Sequence, residues 1–271
     1  MMLSAGVRPL ILVTSDDGLQ SPGLRAAVRA ALDLGEVLIA APGEQQTSAG
    51  RGQPSSFDGA IHQVEYAVNG WQVPAYAMYG SPAQAVLYAL MEIVPRRPAL
   101  CISGINFGEN TGSGVTVSGT VGAALEAADQ GVPALAVSLE TDKAYHYAYS
   151  DDVDFGGAAH FTRLFGERML SRQMPPDVDL LKVDVPSDAT PSTPWRMTRV
   201  SRQRYYLALP SKRRNLGEKR RLDYTIAFDR ATLEPDSDIY ALRIDRVVSV
   251  SPISLDMTSR VALEQVEILF K

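Results

Sequence analysis

Apolar runs and helix-period stretches alternate along the first two thirds of this chain. Leu10-Ile11-Leu12-Val13 is short, β-branched and uncharged, and predicts a buried strand. From Pro22 to Leu34 the apolar spacing becomes helical. Ser21 is the expected N-cap, Pro22 the first helical position and Gly35 the stop. Val37–Ala41 predicts the next strand, ended by Pro42-Gly43. Residues 43–56, rich in Gln, Ser, Thr, Gly and Pro, predict a long loop, and weak alternation over 57–79 predicts a hairpin. Ser81-Pro82 opens a second helix through Ile93. Ala99–Ser103 reads as a third buried strand, residues 104–119 as a Gly-rich loop, and Thr120–Gln130 as a helix stopped by Gly131. Ala134–Leu139 and Leu180–Val185 read as strands, with a helix over Asp152–Ser171 between them.

Repeated strand–helix alternation needs crossover connections. It implies an α/β fold with a Rossmann-like, doubly wound, mostly parallel sheet. After Pro186 the pattern changes to prolines, charge clusters and β-like runs such as Val247–Val250. No helix is expected there before the apolar-periodic tail Val261–Phe270. The chain therefore divides into an α/β catalytic domain, residues 1–186, and a segment, residues 187–271. That segment is an extended β-arm with a tail helix, packing on the core and on a neighbouring subunit in an oligomer. No internal repeat at a fixed period is visible.

Composition narrows the classes. With 271 residues and 45% hydrophobic content, a sizeable core needs no disulfide framework, and the single Cys101 cannot form an internal one. The N-terminus carries no signal-peptide pattern and no apolar run is long enough to span a bilayer, so a cytoplasmic protein without membrane association is expected. A net charge of −5 argues against general binding to duplex nucleic acid.

Asp16-Asp17-Gly18 directly follows the first strand. Two adjacent carboxylates at the end of a buried strand raise each other's pKa unless a cation holds them. On its own the tripeptide also fits an ordinary turn with an Asx cap. In a parallel sheet, however, Asp16-Asp17, the 43–52 loop, Ser103-Gly104-Ile105-Asn106 and the 112–120 loop converge at the carboxyl ends of the strands. Asp16 and Asp17 then supply anionic oxygens, Asn106 an amide oxygen, and Thr47 or Ser48 a hydroxyl. That all-oxygen set fits Mg²⁺, Mn²⁺ or Ca²⁺ better than a thiolate or imidazole metal. Gly112 to Thr120 precedes a helix, with small residues that expose backbone N–H groups to an anion. Thr120 stands where a P-loop has Lys, so this is not an NTPase loop; the plainer reading is a linker with Ser118 as N-cap.

Gly18 occupies the second position of an Asp-x-Asp phosphatase motif, and Phe107 the Arg position of a Cys-x₅-Arg motif, which excludes both chemistries. No Rossmann Gly-x-Gly-x-x-Gly follows the first strand. His62, His146 and His160 lie in no ligand spacing and receive no role. The basic cluster from Arg202 and Arg204 through Lys212, Arg213, Arg214, Lys219, Arg220 and Arg221 reads as a solvated loop, or as an arm for a polyanionic substrate or an acidic neighbour. Tyr205 and Tyr206 within it fit core packing, or stacking on a base.

Ile11 to Gly18 with Ser21-Pro22-Gly23 resembles the opening of the survival protein E (SurE) phosphatases. Ala40-Ala41-Pro42 followed by Gln45-Gln46-Thr47-Ser48-Ala49-Gly50-Arg51 is similar to that family's second motif. Ser103-Gly104-Ile105-Asn106-x-Gly108-x-Asn110, Ser118-Gly119-Thr120-Val121 and Val247 to Pro252 complete the set. The resemblance implies a metal-dependent 5′/3′-nucleotidase acting on nucleoside monophosphates, with one divalent cation per subunit and a side activity on polyphosphate. It also implies a homodimer or homotetramer that exchanges the arm. Position by position, the implied metal ligands are Asp16, Asp17, Thr47 and Asn106. Asp16 and Asp17 are catalytic, and Ser48, Asn106, Ser118, Gly119 and Thr120 bind the phosphate or substrate. Thr47 stands where the family usually has Ser, and Gly43 where it often has Asp. The rival readings are a nucleotide- or phosphate-binding module without turnover, and a carboxylate-metal nucleosidase or glycosidase acting on the sugar side, which releases free base.

Overall fold

The computed structural model describes residues 7–271, so the first six residues of the expected catalytic domain lie outside it. β1 (Leu10–Thr14) is buried throughout and enters the middle of a nine-stranded sheet. α1 (Pro22–Leu32) starts as expected, with Ser21 Oγ accepting from the amides of Gly23 and Leu24. β2 (Glu36–Pro42) pairs parallel to β1. The 57–79 stretch is more divided than one hairpin. β3 (Ile61–Val64) pairs antiparallel with β6 (Ala75–Met78), and the short pair β4 (Ala67–Val68) and β5 (Trp71–Gln72) lies between them. α2 (Pro82–Tyr88) opens on a capping box of Ser81 and Gln84, then widens into a π-helical turn over Ala89–Ile93.

β7 (Leu100–Phe107) runs four residues past the expected strand, so Gly104 to Phe107 belong to the sheet and not to a loop. A register shift against β8 (Ala134–Leu139) between Ser103 and Asn106 accounts for the broken pattern. Gly104 has φ +125 and a Cβ there would lie 2.2 Å from Val137 O, so only glycine fits. A 3₁₀ turn over Gly112–Val117 leads into α3 (Gly119–Asp129), and a second one spans Lys143–Tyr145. α4 (Gly156–Ser171) and β9 (Leu180–Val185) follow.

The expected appendage contributes to the main sheet. β13 (Val248–Ile253) pairs antiparallel with β9, and β10 (Trp195–Met197) pairs parallel with β13. β11 (Tyr206–Leu209) and β12 (Asp223–Ile226) form a separate antiparallel hairpin. α5 (Asp238–Arg243) is a helix where none was expected. At six residues it is too short to leave a period in the sequence, and Ser237 caps it. Of the expected tail helix only α6 (Leu263–Glu267) forms, fully exposed.

The sheet order is β10-β13-β9-β8-β7-β1-β2-β6-β3, parallel from β9 to β6, and its helices cover both faces. Ile11 and Val13 pack with Leu24 and Val28 of α1 and Phe161 and Phe165 of α4, while Leu10 and Leu12 pack with Val86 of α2 and Val121 and Ala124 of α3. Alternate residues of one strand thus serve two cores. Among the described residues no helix is long and apolar enough to cross a membrane.

The chain leaves β1 toward β2 on one side and returns to β7 on the other. That reversal opens a crevice beyond the carboxyl ends of β1 and β7, the usual ligand position in such a sheet.

Candidate active site

Asp16 and Asp17 emerge from β1 at this crevice, only 4% and 2% exposed. Asp16 Oδ1 accepts the Thr120 hydroxyl at 2.7 Å. Asp17 Oδ1 accepts Gln45 Nε2 at 2.8 Å, and its Oδ2 accepts the Phe107 amide at 2.9 Å, which ties β1 to the end of β7. No Lys, Arg or His among the described residues forms an ion pair with either carboxylate. Burial raises both pKa values above the ordinary 3.8. The neighbouring Asp16 charge raises that of Asp17 further, and the hydrogen bonds offset only part of the rise.

Asn106 donates its amide nitrogen to Gly108 O at 2.6 Å, and its Oδ1 accepts nothing from the described residues. Thr47 and Ser48 are exposed, with neither hydroxyl engaged, and Ser48 has φ +63, a left-handed conformation uncommon for serine. All of these line one cavity of ≈ 310 Å³, as do Ser118 and Gly119. Among the described residues no three His, Cys, Asp or Glu side chains cluster to hold a metal. Two carboxylates, one amide oxygen and a hydroxyl are nevertheless a donor set that suits a hard divalent cation, and the unbalanced buried charge is what such an ion offsets.

α3 begins at the same place. Ser118 caps it, its Oγ accepting the Val121 amide at 3.1 Å. A Cβ on Gly119 would sit 2.7 Å from both Cβ and Oδ2 of Asp16, so the helix can approach the carboxylate only because this residue has no side chain. Thr120 is fully buried beneath the cavity and is engaged by Asp16 and by Asn110 Nδ2 at 3.3 Å; its hydroxyl positions Asp16.

Several cavity residues carried no signal in the sequence. His146, expected to have no role, lines the cavity from the turn after β8, and its Nδ1 meets Tyr224 OH at 2.7 Å. Burial lowers its pKa, which favours the neutral ring. Its backbone oxygen accepts the same Gln45 amide group that binds Asp17, at 2.9 Å. Glu109 is buried, hydrogen-bonded by the hydroxyl of the fully buried Tyr205, and burial pushes its pKa to about 7. The Gly108-Glu109-Asn110 run was the only available cue to it. Asn110 is fixed from below by Asp184, which accepts its amide at 2.7 Å and forms a buried cluster with Lys182 and Asp238. Cys101 is fully buried in β7, with its thiol pushed to about 12, and takes no part. Of the tyrosine pair, Tyr205 belongs to a small core with Leu233 and Ile239, whereas Tyr206 lines the cavity. The basic side chains Arg202, Arg204, Lys212, Arg214, Lys219, Arg220 and Arg221 are exposed and Arg213 is half-buried, as a solvated loop requires.

A family model described as "Survival protein SurE" matches residues 11–207. A "5′-nucleotidase SurE" of Thermococcus gammatolerans is 41% identical over 258 residues, covering 95% of this chain and 94% of that protein. A "5′-nucleotidase SurE" of Archaeoglobus fulgidus is 38% identical over 259 residues, covering 95% of each. The crystal structure of the SurE protein from Aquifex aeolicus superposes with a TM-score of 0.76 at 25% identity, covering 97% of this chain and 100% of that one.

Proposed function

The chain belongs to the survival protein SurE family, and from that premise we propose that it hydrolyses nucleoside 5′-monophosphates, and 3′-monophosphates, to nucleoside and inorganic phosphate. The observation that carries this reading is a pair of buried carboxylates with no cationic partner among the described residues, at the topological switch of the sheet and beside a helix N-terminus. The curated relatives' name, 5′-nucleotidase, fits it. A side activity on polyphosphate belongs to the same proposal.

Asp16, Asp17 and Asn106, with Thr47 or Ser48, are the proposed ligands of one Mg²⁺ or Mn²⁺ per subunit. When bound, such an ion supplies positive charge toward a phosphate oxygen and acidifies water. Thr120 holds Asp16 in place, and Gln45 and the Phe107 amide hold Asp17, so neither carboxylate must reorganise during the reaction. One of the two orients the attacking water and takes its proton. The P–O bond to the ribose breaks as the water oxygen adds to phosphorus, and the departing ribose oxygen takes up a proton from solvent to give the nucleoside. Backbone N–H groups at Gly119 and Thr120, with the α3 dipole behind them, receive the phosphoryl oxygens, and Ser118 and Ser48 flank them.

Residues 187–271 are proposed to join subunits into a homodimer or homotetramer. Met257, Leu269 and Phe270 are 85%, 77% and 85% exposed, which supports a covered partner face there. A cytoplasmic location is proposed with it. The test is phosphate release from a panel of nucleoside 5′- and 3′-monophosphates with Mg²⁺, with Mn²⁺ and with EDTA. Metal-dependent release is expected. A folded protein that releases no phosphate with any metal removes the enzyme reading in favour of a binding module.

A further inference from the structure

We propose that the β11–β12 hairpin is a nucleobase platform, with the base lying against Tyr224 and His146 while the phosphate occupies the carboxylate end of the same cavity. The inference rests on the nucleotidase reading above and adds where the base binds.

The hairpin register sets Ala208 opposite Tyr224 and Tyr206 opposite Ile226. Tyr206 and Ala208 on one strand, with Leu222 and Tyr224 on the other, follow a spacing of two and all line the cavity, so one face of the hairpin forms its wall. The Tyr224 and His146 rings are 6.1 Å apart between centroids and inclined by only 11°. A 2.7 Å hydrogen bond between Tyr224 OH and His146 Nδ1 joins the two near-parallel rings, and together they offer an aromatic area on the scale of a fused bicyclic base. Tyr206 stands at 90° to Tyr224, with centroids 5.4 Å apart, and closes one end.

Both tyrosine hydroxyls of this wall are already engaged. Tyr206 OH donates to Glu109 O at 2.8 Å, and Tyr224 OH is bound to His146, whose Nε2 is buried without a partner among the described residues. The wall therefore offers mainly ring faces, which recognise a flat aromatic group with tolerance for its edge substituents. The Lys143 ammonium, which does not line the cavity, lies 4.5 Å from the Tyr224 centroid and also bonds Asp223. It fixes the ring in place from outside the cavity.

The experiment compares wild type, Tyr224→Ala and Tyr224→Leu, the last keeping bulk without a π face. Two readouts are used: kcat/KM for adenosine 5′-monophosphate against ribose 5-phosphate, and calorimetric binding of adenosine, which needs neither phosphate site nor metal. Base stacking is worth about 1–3 kcal/mol by alanine substitution, roughly 5- to 150-fold. Both variants are expected to lower the ratio of the two kcat/KM values at least about tenfold, mainly through KM, and to weaken adenosine binding by a similar factor. An unchanged ratio, or adenosine binding unaffected in folded variants, overturns the platform. Should wild type release phosphate from neither ester, the nucleotidase reading falls, and adenosine binding still decides the platform by the same comparison.

Discussion

Replacing Asp16 by Asn removes one of the two buried charges while keeping the side-chain shape. Asp16 is the better choice of the pair. Its Oδ1 accepts the Thr120 hydroxyl, a bond that an amide oxygen can also accept. Both Asp17 oxygens accept donors, so an amide at 17 would set N–H against N–H. Two adjacent carboxylates about 4–6 Å apart repel by about 3–4 kcal/mol at an effective dielectric of about 20. Partial protonation relieves some of this, leaving a gain of about 1–3 kcal/mol in metal-free protein. For a chain of this size that is roughly 2–10 °C in Tm. The pH dependence has a definite sign. Both folded-state pKa values lie above 3.8, so above that pH the unfolded chain ionises freely while the folded site resists. Metal-free wild type therefore loses stability as pH rises from about 3.8 through the folded values. The variant has one fewer such group and no like charge beside Asp17, so it loses less, and the gap widens with pH. Mn²⁺ reverses the order. At a hundred times its Kd an ion adds about 2.7 kcal/mol to wild type, and the variant forfeits most of this. Melting curves in EDTA and in Mn²⁺ across pH, with phosphate release alongside, test every step. A variant that melts below wild type in EDTA at all pH values, yet gains as much from Mn²⁺, refutes the reasoning.

Other outcomes are equally specific. Lys182→Met leaves the buried Asp184 and Asp238 without their cation and should cost about 3–5 kcal/mol, read as a fall in denaturation midpoint; an unchanged midpoint would mean the cluster is not stabilised by that charge. Gly119→Ala forces a Cβ to within 2.7 Å of Asp16, and the displaced carboxylate should cost about 10²-fold in kcat with little change in far-UV circular dichroism. Glu109 is raised from 4.5 to about 7 by burial, so wild type should lose stability as pH rises through that window. Glu109→Gln should flatten this stretch of the melting profile, and an identical profile in both proteins would contradict the assignment.

The parallel core was legible because β1, β2 and β8 are buried on both faces and so appear as near-continuous apolar runs between capped helices, whereas in β9 the run is interrupted by the buried Lys182 and Asp184. Asp16, Asp17 and Asn106 were legible for a related reason: topology alone carries the ends of β1 and β7 to one edge. Local irregularity hid the rest. The register shift in β7 disguised Gly104 to Phe107 as loop, and α5 is shorter than two helical turns. His146 and Tyr224 are 78 positions apart, and their partnership depends on a hairpin fold-back that neither segment's composition announces. Thr120 was named from its motif as a phosphate or substrate residue, but its hydroxyl bond to Asp16, 104 positions away, was not readable from spacing.

The floor and the wall of the cavity belong to different sheets. Asp16, Asp17 and Asn106 hang from the nine-stranded sheet, whereas Tyr206 and Tyr224 ride on a two-stranded hairpin that pairs with nothing else. The two are therefore separable inheritances. A graft that exchanges residues 206–226 rewrites which leaving group is admitted and leaves the bond-breaking apparatus, sealed in the core, undisturbed. Chemistry is the slow-changing half of this molecule, and selectivity is its replaceable half.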